Sequence, residues 1–87
     1  MNRLRPIIGI TPGYAGPSPN REFSRTSHVH YCDEHYIRSV VGAGGVPVIL
    51  THTDDHAAIR QMVEAIDGLL LTGGEDVNPL RYAAEIF

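Results

Sequence analysis

Three short runs in this chain are apolar throughout and do not alternate with polar residues. They are Ile7-Ile8-Gly9-Ile10-Thr11, Val46-Pro47-Val48-Ile49-Leu50 and Gly68-Leu69-Leu70-Leu71-Thr72. A strand with one face in water alternates apolar and polar residues. A strand covered on both faces does not, and such strands are the building material of parallel sheets. Each run is bounded by glycine, proline or a polar cluster, so each reads as one buried strand.

The segments between the runs carry helical periodicity. From about His28 to Ala43 the apolar positions Val29, Cys32, Tyr36, Ile37, Val40 and Val41 follow a period near 3.6, which predicts a helix with Ser27 as its N-cap and Gly44-Gly45 as its stop. A second helix is predicted from about Asp55 to Ile66. There Ile59, Met62, Val63 and Ile66 fall at i, i+3, i+4 and i+7, and Asp54 and Asp55 place negative charge where the helix dipole favours it. The order is β-α-β-α-β, which predicts an open α/β fold with right-handed crossovers. Pro12 to Thr26, rich in Pro, Gly and Ser, reads as a long connection, a class of loop that is usually functional or disordered.

Length and composition narrow the function. The chain has 87 residues, enough for one small domain, and its residues after Pro79 are too few for another crossover and strand. Residues 1–87 therefore read as the N-terminal portion of a single α/β domain, incomplete at about three strands and two helices. Its unpaired sheet edges make self-association one expected behaviour. A single cysteine, Cys32, excludes an internal disulfide and fits a reducing compartment. With no signal-peptide pattern and no apolar run near ~20 residues, a cytoplasmic protein without membrane contact is expected. All seven basic residues are arginine and they are scattered, against a formal net charge of −3. No nucleic-acid stripe is expected, and neither a Schiff-base lysine nor a P-loop lysine exists among these residues.

Ligands of open α/β sheets bind beyond the carboxyl ends of the strands. Those ends are Thr11-Pro12-Gly13-Tyr14, Thr51-His52-Thr53 and Thr72-Gly73-Gly74-Glu75-Asp76. Gly73 and Gly74 can present bare backbone N–H groups to an anion, as an oxyanion hole requires, although a lone Gly-Gly is most simply a strand-exit turn. Glu75 and Asp76 are candidate acid/base groups, and such residues more often cap the next segment or face solvent. On the predicted first helix His28, Cys32 and His35 would lie within about 60° of one another, a conceivable soft-metal face. Paired ligands at finger-like spacing and a fourth ligand are missing, so no metal is expected. His52 and His56 would straddle a strand end and a helix start. Cys32 is a poor nucleophile on this reading, lying more than one turn into its helix beside Asp33 and Glu34.

Pro6–Thr11, Tyr36-Ile37 with Gly42–Leu50, and Asp67-Gly68-Leu69-Leu70-Leu71-Thr72-Gly73-Gly74-Glu75-Asp76-Val77-Asn78-Pro79 together resemble, in order and spacing, the γ-glutamyl-γ-aminobutyrate hydrolase-like group of class I glutamine-amidotransferase-fold peptidases. The resemblance implies a flavodoxin-like open parallel sheet, no cofactor, a γ-glutamyl small-molecule substrate, and a Cys-His-Glu type triad that cleaves γ-glutamyl amides through a thioester. It also implies that Gly73 or Gly74 supplies one oxyanion-hole N–H. Relatives carry their nucleophile on a later Gly-x-Cys-x-Gly elbow, which residues 1–87 lack, so the role does not transfer to Cys32 and the chain is expected to be inactive without the C-terminal part of its domain. The tail also departs from the family, with Tyr82 followed by Ala83-Ala84-Glu85-Ile86-Phe87. Two other functions remain open. One is a glutaminase of the same fold serving a synthase. The other is a non-catalytic flavodoxin-like binding module, against which stand Thr72 in place of a receiver's aspartate and Pro12 in the candidate phosphate loop.

Overall fold

The computed structural model describes residues 5–72. The three apolar runs form strands β1 (Ile7–Ile10), β4 (Val46–Ile49) and β5 (Gly68–Leu70), and a short hairpin of β2 (Gly13–Ala15) and β3 (Val29–Tyr31) precedes the first helix. Helices α1 (Glu34–Gly42) and α2 (His56–Ala65) fill the two crossovers. The main sheet is parallel throughout with strand order β4-β1-β5, so the first strand is central. This is the α/β arrangement of a partial flavodoxin-like fold.

Register follows from the backbone bonds at both ends of β1. Val46 N–H donates to Pro6 O at 2.8 Å, and Leu50 N–H to Ile10 O at 2.9 Å. On the other side Asp67 N–H donates to Ile7 O at 2.7 Å, while the Asp67 carboxylate accepts from Ile7 N at 2.8 Å and so satisfies a donor at the strand's start. Side chains of β1 divide by parity, as a pleated strand requires. A Cβ on Gly45, just past α1, would touch Ile8 and Val40, whereas a Cβ on Gly9 would meet Ile66, past α2, and Leu50. The two helices therefore cover opposite faces. The core on the α2 side consists of Leu50 and Ile59, with Met62, Val63, Ile66 and Leu69 packed against them.

Helix α2 begins and ends within a residue of the prediction. Asp55 is its N-cap and accepts from Ala58 N at 3.1 Å. Helix α1 stops where Gly44-Gly45 predicts. Gly45 N–H reaches Val40 O at 2.9 Å and Gly44 N–H reaches Val41 O at 3.0 Å, with Gly44 at φ +94°, which is the bonding of a Schellman motif.

The start of α1 corrects the sequence reading. The helix begins at Glu34 rather than near His28, and its N-cap is Asp33, not Ser27. Val29–Tyr31 is instead a strand, paired antiparallel with Gly13–Ala15 through Gly13↔Tyr31, Tyr14↔His30 and Ala15↔Val29. Pro12–Thr26 is accordingly not one featureless loop. Its turn is organised by Arg21, whose guanidinium donates to the carbonyls of Gly16, Phe23, Ser24 and Ser27. One planar group with five donors holding four carbonyls explains how so polar a segment is ordered.

Candidate functional site

The carboxyl ends of β1 and β5 are joined by a pair of threonines. Thr11 is almost fully buried, and its Oγ1 accepts from Thr72 N at 2.8 Å. Thr72 Oγ1 donates to Thr11 O at 3.0 Å, and the two hydroxyl oxygens lie 3.2 Å apart. With the Thr72 hydroxyl donating to Thr11 O, the Thr11 hydroxyl is left to donate either to Thr72 Oγ1 or to Leu70 O, 3.5 Å away. Thr11 N–H continues the ladder to Leu70 O at 3.0 Å. The chain thus leaves β5 at a fixed point, directly ahead of Gly73 and Gly74. Those two glycines, with Glu75 and Asp76, lie outside the described residues.

Thr11→Val keeps the shape of this side chain and removes its oxygen. The change leaves Thr72 N–H without that acceptor and should cost about 1–3 kcal/mol, whereas Thr11→Ser should recover most of the loss. Urea denaturation of the three proteins measures it, and equal midpoints for wild type and Thr11→Val would contradict the clamp.

The hairpin sits over the strand ends. Tyr14 stacks on His52 of the β4 exit, with ring centroids 4.4 Å apart, and also meets His28 at 5.6 Å and His30 at 5.1 Å. His30 Nε2 lies 3.3 Å from His52 O. Gly13 has no side chain because the Tyr31 ring occupies that space, and a Cβ there would overlap it.

Beside the clamp is a cavity of about 210 Å³. Thr11, Gly13 and Thr72 line it from the strand ends, and Tyr31, Cys32, Asp33 and Tyr36 from the segment running into α1. Asp33 Oδ1 accepts from His35 N at 3.1 Å and lies 2.7 Å from His35 Nδ1. The backbone hydrogen bond from His35, then the one from its ring, holds the carboxyl below the usual aspartate range. Burial, reinforced by the neighbouring Asp33 carboxylate, pushes the Cys32 thiol up, and its Sγ lies 3.6 Å from Asp33 O.

These positions test the sequence-derived candidates. Cys32 does not lie within a helix; it immediately precedes the N-cap of α1. That location ordinarily favours a thiolate, but here burial, with the neighbouring Asp33 carboxylate, opposes it. His28, Cys32 and His35 do not share a helix face, because only His35 is helical. Among the described residues no group of three or more His, Cys, Asp or Glu side chains could hold a metal ion. No helix among them is long and apolar enough to cross a membrane. Tyr31 and Tyr36 were not singled out as site residues from sequence. The one available signal was the alternation Val29-His30-Tyr31, which resembles a strand as much as a helical turn.

A central first strand with parallel neighbours on both sides defines an α/β domain of the partial flavodoxin-like type, with a cavity beyond the carboxyl ends of its strands. The chain belongs to the Peptidase C26 family, which matches residues 6–86 and is class I glutamine amidotransferase-like. It is also 34% identical over 80 residues to a glutamine amidotransferase-like protein of Rickettsia prowazekii (strain Madrid E). That alignment covers 90% of this chain and 27% of the relative, so the chain spans about a quarter of the relative's length. No solved structure matches the chain.

Proposed function

We propose that the chain is the N-terminal part of a hydrolase that cleaves γ-glutamyl amide bonds through a cysteine thioester, with the nucleophile supplied by the remainder of the domain. The family match across residues 6–86 carries this reading. In support, the carboxyl end of β5, held by Thr11 and Thr72, is followed directly in sequence by Gly73 and Gly74. Attack on an amide carbonyl generates an oxyanion, and N–H groups fixed in advance stabilise it more than solvent would. Gly73 or Gly74 supplies one such donor. The protein acts in the cytoplasm, without a cofactor, and needs the C-terminal part of its own domain.

A glutaminase that releases ammonia to a synthase is the second reading, favoured by the name of the Rickettsia relative. Both use the same acyl chemistry and differ in the leaving group.

The test is an assay of the protein at the length its source produces, with γ-glutamyl-p-nitroanilide, α-glutamyl-p-nitroanilide and glutamine as substrates. Turnover of the γ-linked anilide alone supports the hydrolase. Ammonia from glutamine without anilide cleavage supports the glutaminase, and no turnover of any of them refutes both.

A further inference from the structure

We propose that Thr11 is a positioning residue for the reaction: its buried hydroxyl, acting through Thr72, sets where the backbone leaves β5 and therefore where the N–H groups that follow stand. The proposal rests on the acyl-transfer chemistry of the reading above, and it applies to the hydrolase and the glutaminase alike.

The observation that carries it is a rung of the sheet made by side chains. In a parallel ladder, a residue that donates to one position of its neighbour accepts from the N–H two positions further on. Thr11 N–H donates to Leu70 O at 3.0 Å, so the regular next bond would run from Thr72 N–H to Thr11 O. Instead, Thr72 N–H donates to Thr11 Oγ1 at 2.8 Å, and Thr11 O accepts from the Thr72 hydroxyl at 3.0 Å. Each main-chain group of the regular rung is thus met by the other residue's hydroxyl. The exchange satisfies both groups while a side chain spans each gap, so the exit of β5 is held at a distance that main-chain bonding alone would not give. Thr11 is 1% exposed, so water cannot take the place of its oxygen. Both threonines line the cavity at the strand ends, and Gly73 follows Thr72 directly in sequence. A donor aimed at an oxyanion is effective only when fixed before the charge develops. A misplacement of about 1 Å in such a group can lower the rate about 10²-fold.

The experiment places Thr11→Val, Thr11→Ser and Ile59→Val in the protein at its natural length. It measures kcat and KM for γ-glutamyl-p-nitroanilide and for glutamine, and hydrogen exchange of the Thr72 amide. Thr11→Val should lower kcat at least about tenfold and leave KM within about threefold, since the lost interaction acts on the transition state. Thr11→Ser should regain most of the rate, because it restores the hydroxyl. Ile59→Val truncates the core on the α2 side, so it should lower the urea midpoint yet keep kcat within about twofold. Exchange at Thr72 should quicken more in Thr11→Val than in Ile59→Val. If Thr11→Val does not fold, Thr72→Val breaks the same rung while leaving Thr72 N–H its acceptor, and kcat should still fall at least about threefold. Unchanged kcat in the folded variant, an equal fall in Ile59→Val, or a rise in KM alone would overturn the proposal. An inactive wild type would refute the acyl-transfer reading and this role with it, whereas an active wild type with unchanged kcat in Thr11→Val would refute this role alone.

Discussion

Ile59→Ala should leave most of the 87-residue chain unfolded at room temperature, as judged by loss of its helical circular dichroism signal. Ile59 is 1% exposed and packs with Leu50, while Met62, Val63, Ile66 and Leu69 close around the pair. This is the α2 side of the sheet, where Gly9 lets Ile66 approach the backbone of the central strand. Truncating a buried isoleucine costs about 2–5 kcal/mol, because the lost burial is joined by a cavity that the surroundings cannot fill. Domains are stable by only about 5–15 kcal/mol, and one of this size lies toward the low end. Exposed apolar edges lower the margin further, since Val46, Val48 and Ile49 of β4 are 39–45% exposed. Val41→Ala is the control. Val41 is 49% exposed on α1, and its truncation should change stability by less than about 0.5 kcal/mol. A urea midpoint for Ile59→Ala no lower than that of Val41→Ala would show that the α2 face is not the core.

The same residues show why the sheet was legible in the sequence and the hairpin was not. The three main strands announce themselves by composition, because strands of a parallel sheet are apolar throughout, although the expectation that each is buried fails for β4, an edge strand whose Val46, Val48 and Ile49 are exposed among the described residues. The helix stop at Gly44-Gly45 and the cap at Asp55 are local events that depend on a handful of neighbouring residues, and local chemistry is what a sequence displays. The start of α1 depends on something distant. Val29, Cys32 and Tyr36 satisfy a helical period, yet Val29–Tyr31 is extended because Gly13–Ala15 pairs with it across a loop held by Arg21. Asp33 then caps the helix in place of Ser27. The site divides in the same way. Its location at the strand ends follows from topology alone. The Thr11–Thr72 clamp joins residues 61 positions apart, and the Tyr31 and Tyr36 walls exist only because the hairpin folds back over Gly13.

Catalysis should require a cysteine other than Cys32, and the expected contrast is many orders of magnitude. Residues 1–87 contain one thiol, and its surroundings oppose the thiolate on two counts: burial and the Asp33 carboxylate. A thiol held protonated cannot attack an amide at a useful rate. Among the described residues the hydrogen-bond partner of Cys32 Sγ is the carbonyl oxygen of Asp33, which is not a base that could remove its proton. The 87-residue chain should therefore release p-nitroaniline from γ-glutamyl-p-nitroanilide no faster than buffer does. The protein at its natural length should exceed that rate by at least ~10⁶-fold, the lower range of enzymatic acceleration. Cys32→Ala in the longer protein should leave kcat/KM within about twofold of wild type, because the residue lines the cavity without entering the reaction. Iodoacetamide should abolish turnover in wild type and in Cys32→Ala alike, since on the proposed reading the group it must reach is supplied by the remainder of the domain. Loss of several orders of magnitude in Cys32→Ala would make this thiol the nucleophile.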